Sequence, residues 1–86
     1  MLEQGAVAAF GEDREVLKFF RIFHEQEDLG FYAEEICTQL CWSEERLATV
    51  LRVLANQDLI SQQGTLVHLT SRGRRVLREF VHRRLV

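Results

Sequence analysis

A mainly α-helical domain with one small β-hairpin, in the order helix-helix-helix-hairpin-helix, is what this sequence predicts. Three observations predict it. The chain has no proline to interrupt a helix. Apolar residues recur at helical spacing in four separate stretches. Only between Leu59 and Leu69 does the pattern change, to short apolar runs on either side of a glycine. At 86 residues and 10.1 kDa, area scaling gives a folded surface of roughly 5,300 Å² against about 14,600 Å² for the open chain, so about 64% is buried. That supports one core, excludes two folded domains and leaves little room for an enzyme cleft.

Asp13 suits an N-cap, because its carboxylate can accept from free backbone amides. The first helix follows it, with Val16, Phe19, Phe20 and Phe23 on one face and Leu17 and Ile22 beside them. Arg14, Lys18, Arg21 and Glu25 face the other way, and the helix is expected to fade near Asp28–Gly30. Residues 1–11 form an N-terminal arm, and 12–86 the domain. A short second helix runs from Ala33 to Leu40 with Ile36 and Leu40 inward. Ser43 caps a third helix, Glu44 to about Gln57, whose inward stripe is Leu47, Val50, Leu51 and Leu54. Its outward stripe is Glu45, Thr49, Arg52 and Asn56. Two strands then flank Gln63-Gly64, where glycine supplies the positive φ that a tight hairpin needs. Thr70 or Ser71 caps the last helix, which turns Val76, Leu77, Phe80 and Val81 inward. Gly73 lies on that inward face, where a missing side chain permits close approach.

The order of elements, with a short turn between the second and third helices, is that of a helix-turn-helix followed by a hairpin wing. The stretch AEEICTQLCWSEERLATVLRVLANQDLI resembles winged helix-turn-helix regulators of the MarR and PadR kind, in which a short helix, a glycine turn, a serine cap and a long helix ending in "GLI" recur. LTSRGRRVL resembles the "LT..GR..L" that leads those proteins from the wing to the last helix. The resemblance covers residues 31–80. It implies a winged-helix fold, duplex DNA as partner and a role in transcription regulation. Three positions depart from the pattern. Cys41 and Asp58 stand where glycines are usual, and Glu44-Glu45-Arg46 stands where small hydroxyl or basic residues usually open the recognition helix.

A DNA-reading helix must offer donors to phosphates and base edges. On that basis Ser43, Arg46, Thr49, Arg52 and Asn56 are the candidate groove residues. Gln62 and Gln63 of the wing and Arg72, Arg75 and Arg78 of the last helix are the candidate backbone contacts. His82, Arg74, Arg83 and Arg84 extend the basic last helix. The net charge of −2 hides an uneven distribution. Residues 1–43 carry three basic and nine acidic side chains, whereas residues from Thr70 onward carry six arginines against Glu79 alone. An acidic half and a basic half point to one surface for an anionic partner rather than a uniformly basic coat.

A second function class is therefore carried alongside the first: a winged helix that docks a protein and does not bind DNA. Net acidity, Glu44-Glu45 and a wing (Ser61-Gln62-Gln63-Gly64-Thr65) without Lys or Arg favour it. The wide apolar arc of the first helix, with Leu2, Val7 and Phe10 in the arm, predicts a homodimer built from arm, first helix and last helix; the alternative is that the arm folds back over its own core. Cys37 and Cys41 are expected to be buried as small hydrophobes, with a redox switch between them as the minor alternative. CxxxC with scattered His24, His68 and His82 is not a metal-site spacing. No phosphate loop, HExxH or nucleophile elbow occurs, so neither an enzyme nor a cofactor is expected. With no apolar run near the ~20 residues of a membrane span and no basic leader on MLEQGAVAAF, the expected location is cytoplasmic, away from membranes.

Overall fold

The structure, a computed structural model, describes residue 5 and residues 9–86. Its elements in chain order are α1 (Arg14–Ile22), β1 (Phe31–Tyr32), α2 (Ala33–Leu40), α3 (Glu44–Asn56), β2 (Ile60–Gln63), β3 (Leu66–Leu69) and α4 (Ser71–His82). The domain is thus mainly helical with a small antiparallel sheet. Among the described residues no helix is long and apolar enough to cross a membrane.

Three of these four helices, α1, α3 and α4, begin where a side chain can take their free amides. Asp13 accepts from the Glu15 and Val16 N–H groups at 3.1 and 3.2 Å. The Ser43 hydroxyl accepts from the Arg46 N–H, and that of Thr70 from the Gly73 N–H, both at 3.0 Å. Such caps are each worth roughly 1 kcal/mol. The ends of α2 and α3 are alike. Cys41 (φ 58°) and Asp58 (φ 61°) are left-handed, and the next residues, Trp42 and Leu59, donate back to Cys37 O and Leu54 O at 3.0 Å. Trp42 and Leu59 are then buried, the hydrophobic contact that accompanies this kind of helix stop. These are the two positions at which the sequence departs from glycine.

Three features differ from the sequence-based expectation. The first helix ends at Ile22 and not near Asp28–Gly30. Nothing after Phe23 adds to its apolar stripe; Leu29 is 51% exposed, and the chain turns back through Gln26 N–H to Phe23 O (2.8 Å) and a left-handed Glu25. The sheet has a third strand. β1 pairs with β3 in the order β1-β3-β2, with Phe31 opposite Val67; two residues are too few to show an alternating pattern. The cysteines are not both buried, since Cys37 is half-buried and Cys41 exposed.

The core is centred on rings of α1 and of Phe23 just after it. Phe19, Phe20 and Phe23 are fully buried. Phe20 meets Phe80 of α4 edge-on at 5.2 Å, and Phe23 meets Phe31 of β1 at 5.0 Å, pairs worth roughly 0.5–1.5 kcal/mol beyond area burial. The α1 face that suggested a homodimer is therefore largely covered within one chain, Ile22 included, with Leu17 packed at its edge. Phe10 of the arm joins this core, whereas Leu2 and Val7 lie outside the described residues.

The base of the hairpin is the tightest junction. Leu59 O accepts from the Thr70 N–H at 3.1 Å, the Thr70 hydroxyl donates to Asp58 O at 2.6 Å, and Gly73 lies so close that an added Cβ would fall 2.0 Å from Leu59 O. Gly73→Ala should therefore lower the unfolding free energy by about 1–3 kcal/mol. Cys41→Gly, which relieves a left-handed non-glycine residue, should raise it by about 0.5–1 kcal/mol. Urea titrations of the two variants check both signs.

Candidate functional site

The exposed side of α2, its turn and α3 hold most of the groups a binding surface could use. The α3 axis turns Leu47, Val50, Leu51 and Leu54 into the core. Helical geometry then leaves Glu45, Thr49, Arg52 and Asn56 outermost, and all four are exposed. Ser43 is exposed but its hydroxyl is occupied in capping. Thr49 donates its hydroxyl to Glu45 O at 3.0 Å.

Arg46 leaves this stripe. It lies on the flank of α3 nearest α1, with Nη1 2.7 Å from Glu15 Oε2. Among the described residues Arg52 has no ion-pair partner, so it is the cation of α3 left for a ligand. The exposed carboxylates Glu34, Glu35, Glu44 and Glu45 sit in the first turns of α2 and α3, two turns before Arg52 in the case of α3, where they complement the helix dipoles. Glu35 also accepts from the Tyr32 N–H at 2.8 Å. The surface that would enter a DNA groove is thus acidic on balance.

The two hairpin glutamines separate. Cross-strand partners share a face, and Gln62 stands opposite Val67, which is fully buried, while Ser61 stands opposite His68. Gln62 therefore points to the helix side and Gln63 to the other, so the two do not act as one pair. The Gln62 amide donates to Gly64 O at 3.0 Å. Gly64, at φ 62°, occupies the first central position of the two-residue turn, where a positive φ favours glycine.

Gln62 closes a groove of about 700 Å³ between α2, α3 and the hairpin. Its floor is Ala33, Cys37, Leu47 and Leu51, and Glu34 and Glu44 stand on its walls with no Lys or Arg among the lining residues. Cys37 faces it, with Sγ 3.8 Å from Ser43 O. A smaller hollow of about 460 Å³ between α1 and α2 has the opposite character, with Lys18 and Arg21 beside Gln26 and Gln39. Sequence spacing found the residues of α2 and α3 separately; that they face a common groove follows only from the helix crossing.

The basic last helix is partly neutralised from within. Both nitrogens of the Arg78 fork meet the Glu27 carboxylate, and this hydrogen bond, with the charge itself, raises the Arg78 pKa above its ordinary value. Arg74 reaches Ser71 Oγ at 3.3 Å and stands 4.0 Å from Asp28, and Arg83 pairs with Glu79 at 3.5 Å. Arg72 is half-buried and Arg75 exposed, and each is engaged by another group. Glu15 and Glu27 had no sequence signal as counter-charges, being 31 and 51 residues from their arginines. Among the described residues no three His, Cys, Asp or Glu side chains are gathered to hold a metal ion. Comparison with protein-family models, with curated proteins and with solved structures finds no match.

These ion pairs are exposed, and exposed pairs contribute little. A double-mutant cycle on Glu15→Gln and Arg46→Gln should give a coupling of about 0.2–1 kcal/mol that shrinks as salt is raised. A coupling above that range would mean that Arg46 is held too firmly to turn toward any ligand.

Proposed function

We propose that this domain is a winged helix that works as a protein-docking module through its α2–α3 face. The placement of β1, α2, α3 and the hairpin in sequence, with β1 on the open edge of β3, supports the winged-helix reading. The observation that carries the docking reading is the sign of the face. Glu34, Glu35, Glu44 and Glu45 are exposed on the first turns of α2 and α3, against Arg52 alone without an ion pair on α3, while Arg46 is turned to Glu15 and the wing supplies no cation. A phosphate backbone brought to the first turns of α2 and α3 meets carboxylates there with no unpaired cation beside them among the described residues, which disfavours it within the screening length. A protein partner can instead present cations to the same carboxylates. On this reading the domain is not an enzyme and needs no cofactor.

DNA binding is the second reading. Residues 31–80 resemble winged-helix transcriptional regulators, and Arg52, Thr49 and Asn56 do project together from α3. On that reading Arg52 meets the groove and the arginines of α4 meet phosphate, which displaces surface ion pairs such as those of Arg74, Arg78 and Arg83.

Fluorescence anisotropy of a random-sequence duplex, titrated with the protein at several salt concentrations, separates the two. The docking reading expects no binding at ~50 mM salt and ~100 µM protein, where ordinary non-specific affinity would register. Binding that weakens steeply with salt, and that Arg52→Ala reduces, would establish the DNA reading instead.

A further inference from the structure

The geometry points to the groove between α2, α3 and the hairpin as the seat of a basic peptide segment with an apolar anchor. This rests on the protein-docking reading and names the chemistry of its partner. The groove combines two features that one ligand class answers together. Its floor is apolar, made by Ala33, Leu47 and Leu51 with the Cys37 thiol, and its volume of about 700 Å³ is in the range of sites that hold several side chains. Its walls carry Glu34 from α2 and Glu44 from α3, with no cation among the lining residues. Neither carboxylate forms an ion pair among the described residues. Glu35 and Glu45, each next in sequence to a wall residue, add to the negative field around the rim.

An apolar side chain such as leucine on the floor, flanked by arginine or lysine, satisfies both features at once. Gln62 and Thr65 at the hairpin side supply an amide and a hydroxyl for the backbone of such a segment. An anionic ligand, whether phosphate or an acidic peptide, finds carboxylates as the only charged groups among the lining residues.

The test uses the full chain, ¹⁵N-labelled, and a synthetic hexapeptide with two leucines between two pairs of arginines. Two control peptides replace either the arginines by glutamates or the leucines by glycines. Amide shifts confined to Ala33–Thr38, Glu44–Leu51 and Gln62–Thr65, absent with the glutamate peptide and weaker with the glycine one, support the site. The double variant Glu34→Gln, Glu44→Gln should weaken the arginine–leucine peptide about five-fold or more, while Glu12→Gln leaves it unchanged. Ala48→Arg, on the exposed rim, should abolish binding by filling the groove with a cation, and its unfolding transition checks that it folds. Shifts elsewhere, or equal binding of all three peptides, would overturn the groove as the seat, and leave the docking reading standing on its own test. Salt-sensitive shifts along Glu45, Thr49, Arg52 and Asn56 on adding a random-sequence duplex would overturn both.

Discussion

The meeting of Leu59, Thr70 and Gly73 is the constraint on which the rest of the molecule depends. Three elements end or begin there: the stop of α3 at Asp58, the base of the hairpin, and the start of α4. The carbonyl of Leu59 accepts from the Thr70 amide and lies against Gly73. The hydroxyl of Thr70 donates to Asp58 O while it accepts from the Gly73 amide. One side chain thus ties the cap of α4 to the end of α3 at the base of the hairpin between them. Because α3 and the hairpin are fixed to each other there, the groove between them has a defined width.

A second constraint works from the other end of the core. The rings of Phe19, Phe20 and Phe23 reach from α1 to Phe80 in α4 and to Phe31 in β1. This draws β1 onto the open edge of β3, and β1 leads without a break into α2. The position of α2 against α3, and so the other wall of the groove, is inherited from that aromatic cluster. Folding and surface are linked in this way: the buried rings decide where Glu34 stands relative to Glu44.

Much of this was legible in the sequence because it is local. Caps at Asp13, Ser43 and Thr70, the stripes of α3 and α4, the turn at Gly64 and the closeness required at Gly73 all depend on residues within a few positions of one another. The special backbone at Cys41 and Asp58 was also marked, since glycine is the usual occupant of a left-handed helix stop. What was not legible depends on distance along the chain. No spacing rule connects Glu15 with Arg46 or Glu27 with Arg78, so the arginines looked more available than they are. The two residues of β1 carry no periodicity, and the early stop of α1 reflects what the core no longer needs after Phe23. Gln62 and Gln63 read as a pair because they are adjacent, yet adjacency in a strand is what places them on opposite faces.

The proposed docking face depends on a negative potential over α2 and the first turns of α3. Paramagnetic relaxation of the backbone amides by a cationic and by an anionic nitroxide, compared residue by residue in low salt, reads that sign directly. Stronger relaxation by the cationic probe at Glu34–Gln39 and Glu44–Ala48 is the expected result, with the reverse along Arg14, Lys18 and Arg21. Accumulation of the anionic probe over α2 and α3 would contradict the account, and would return this face to an anionic partner.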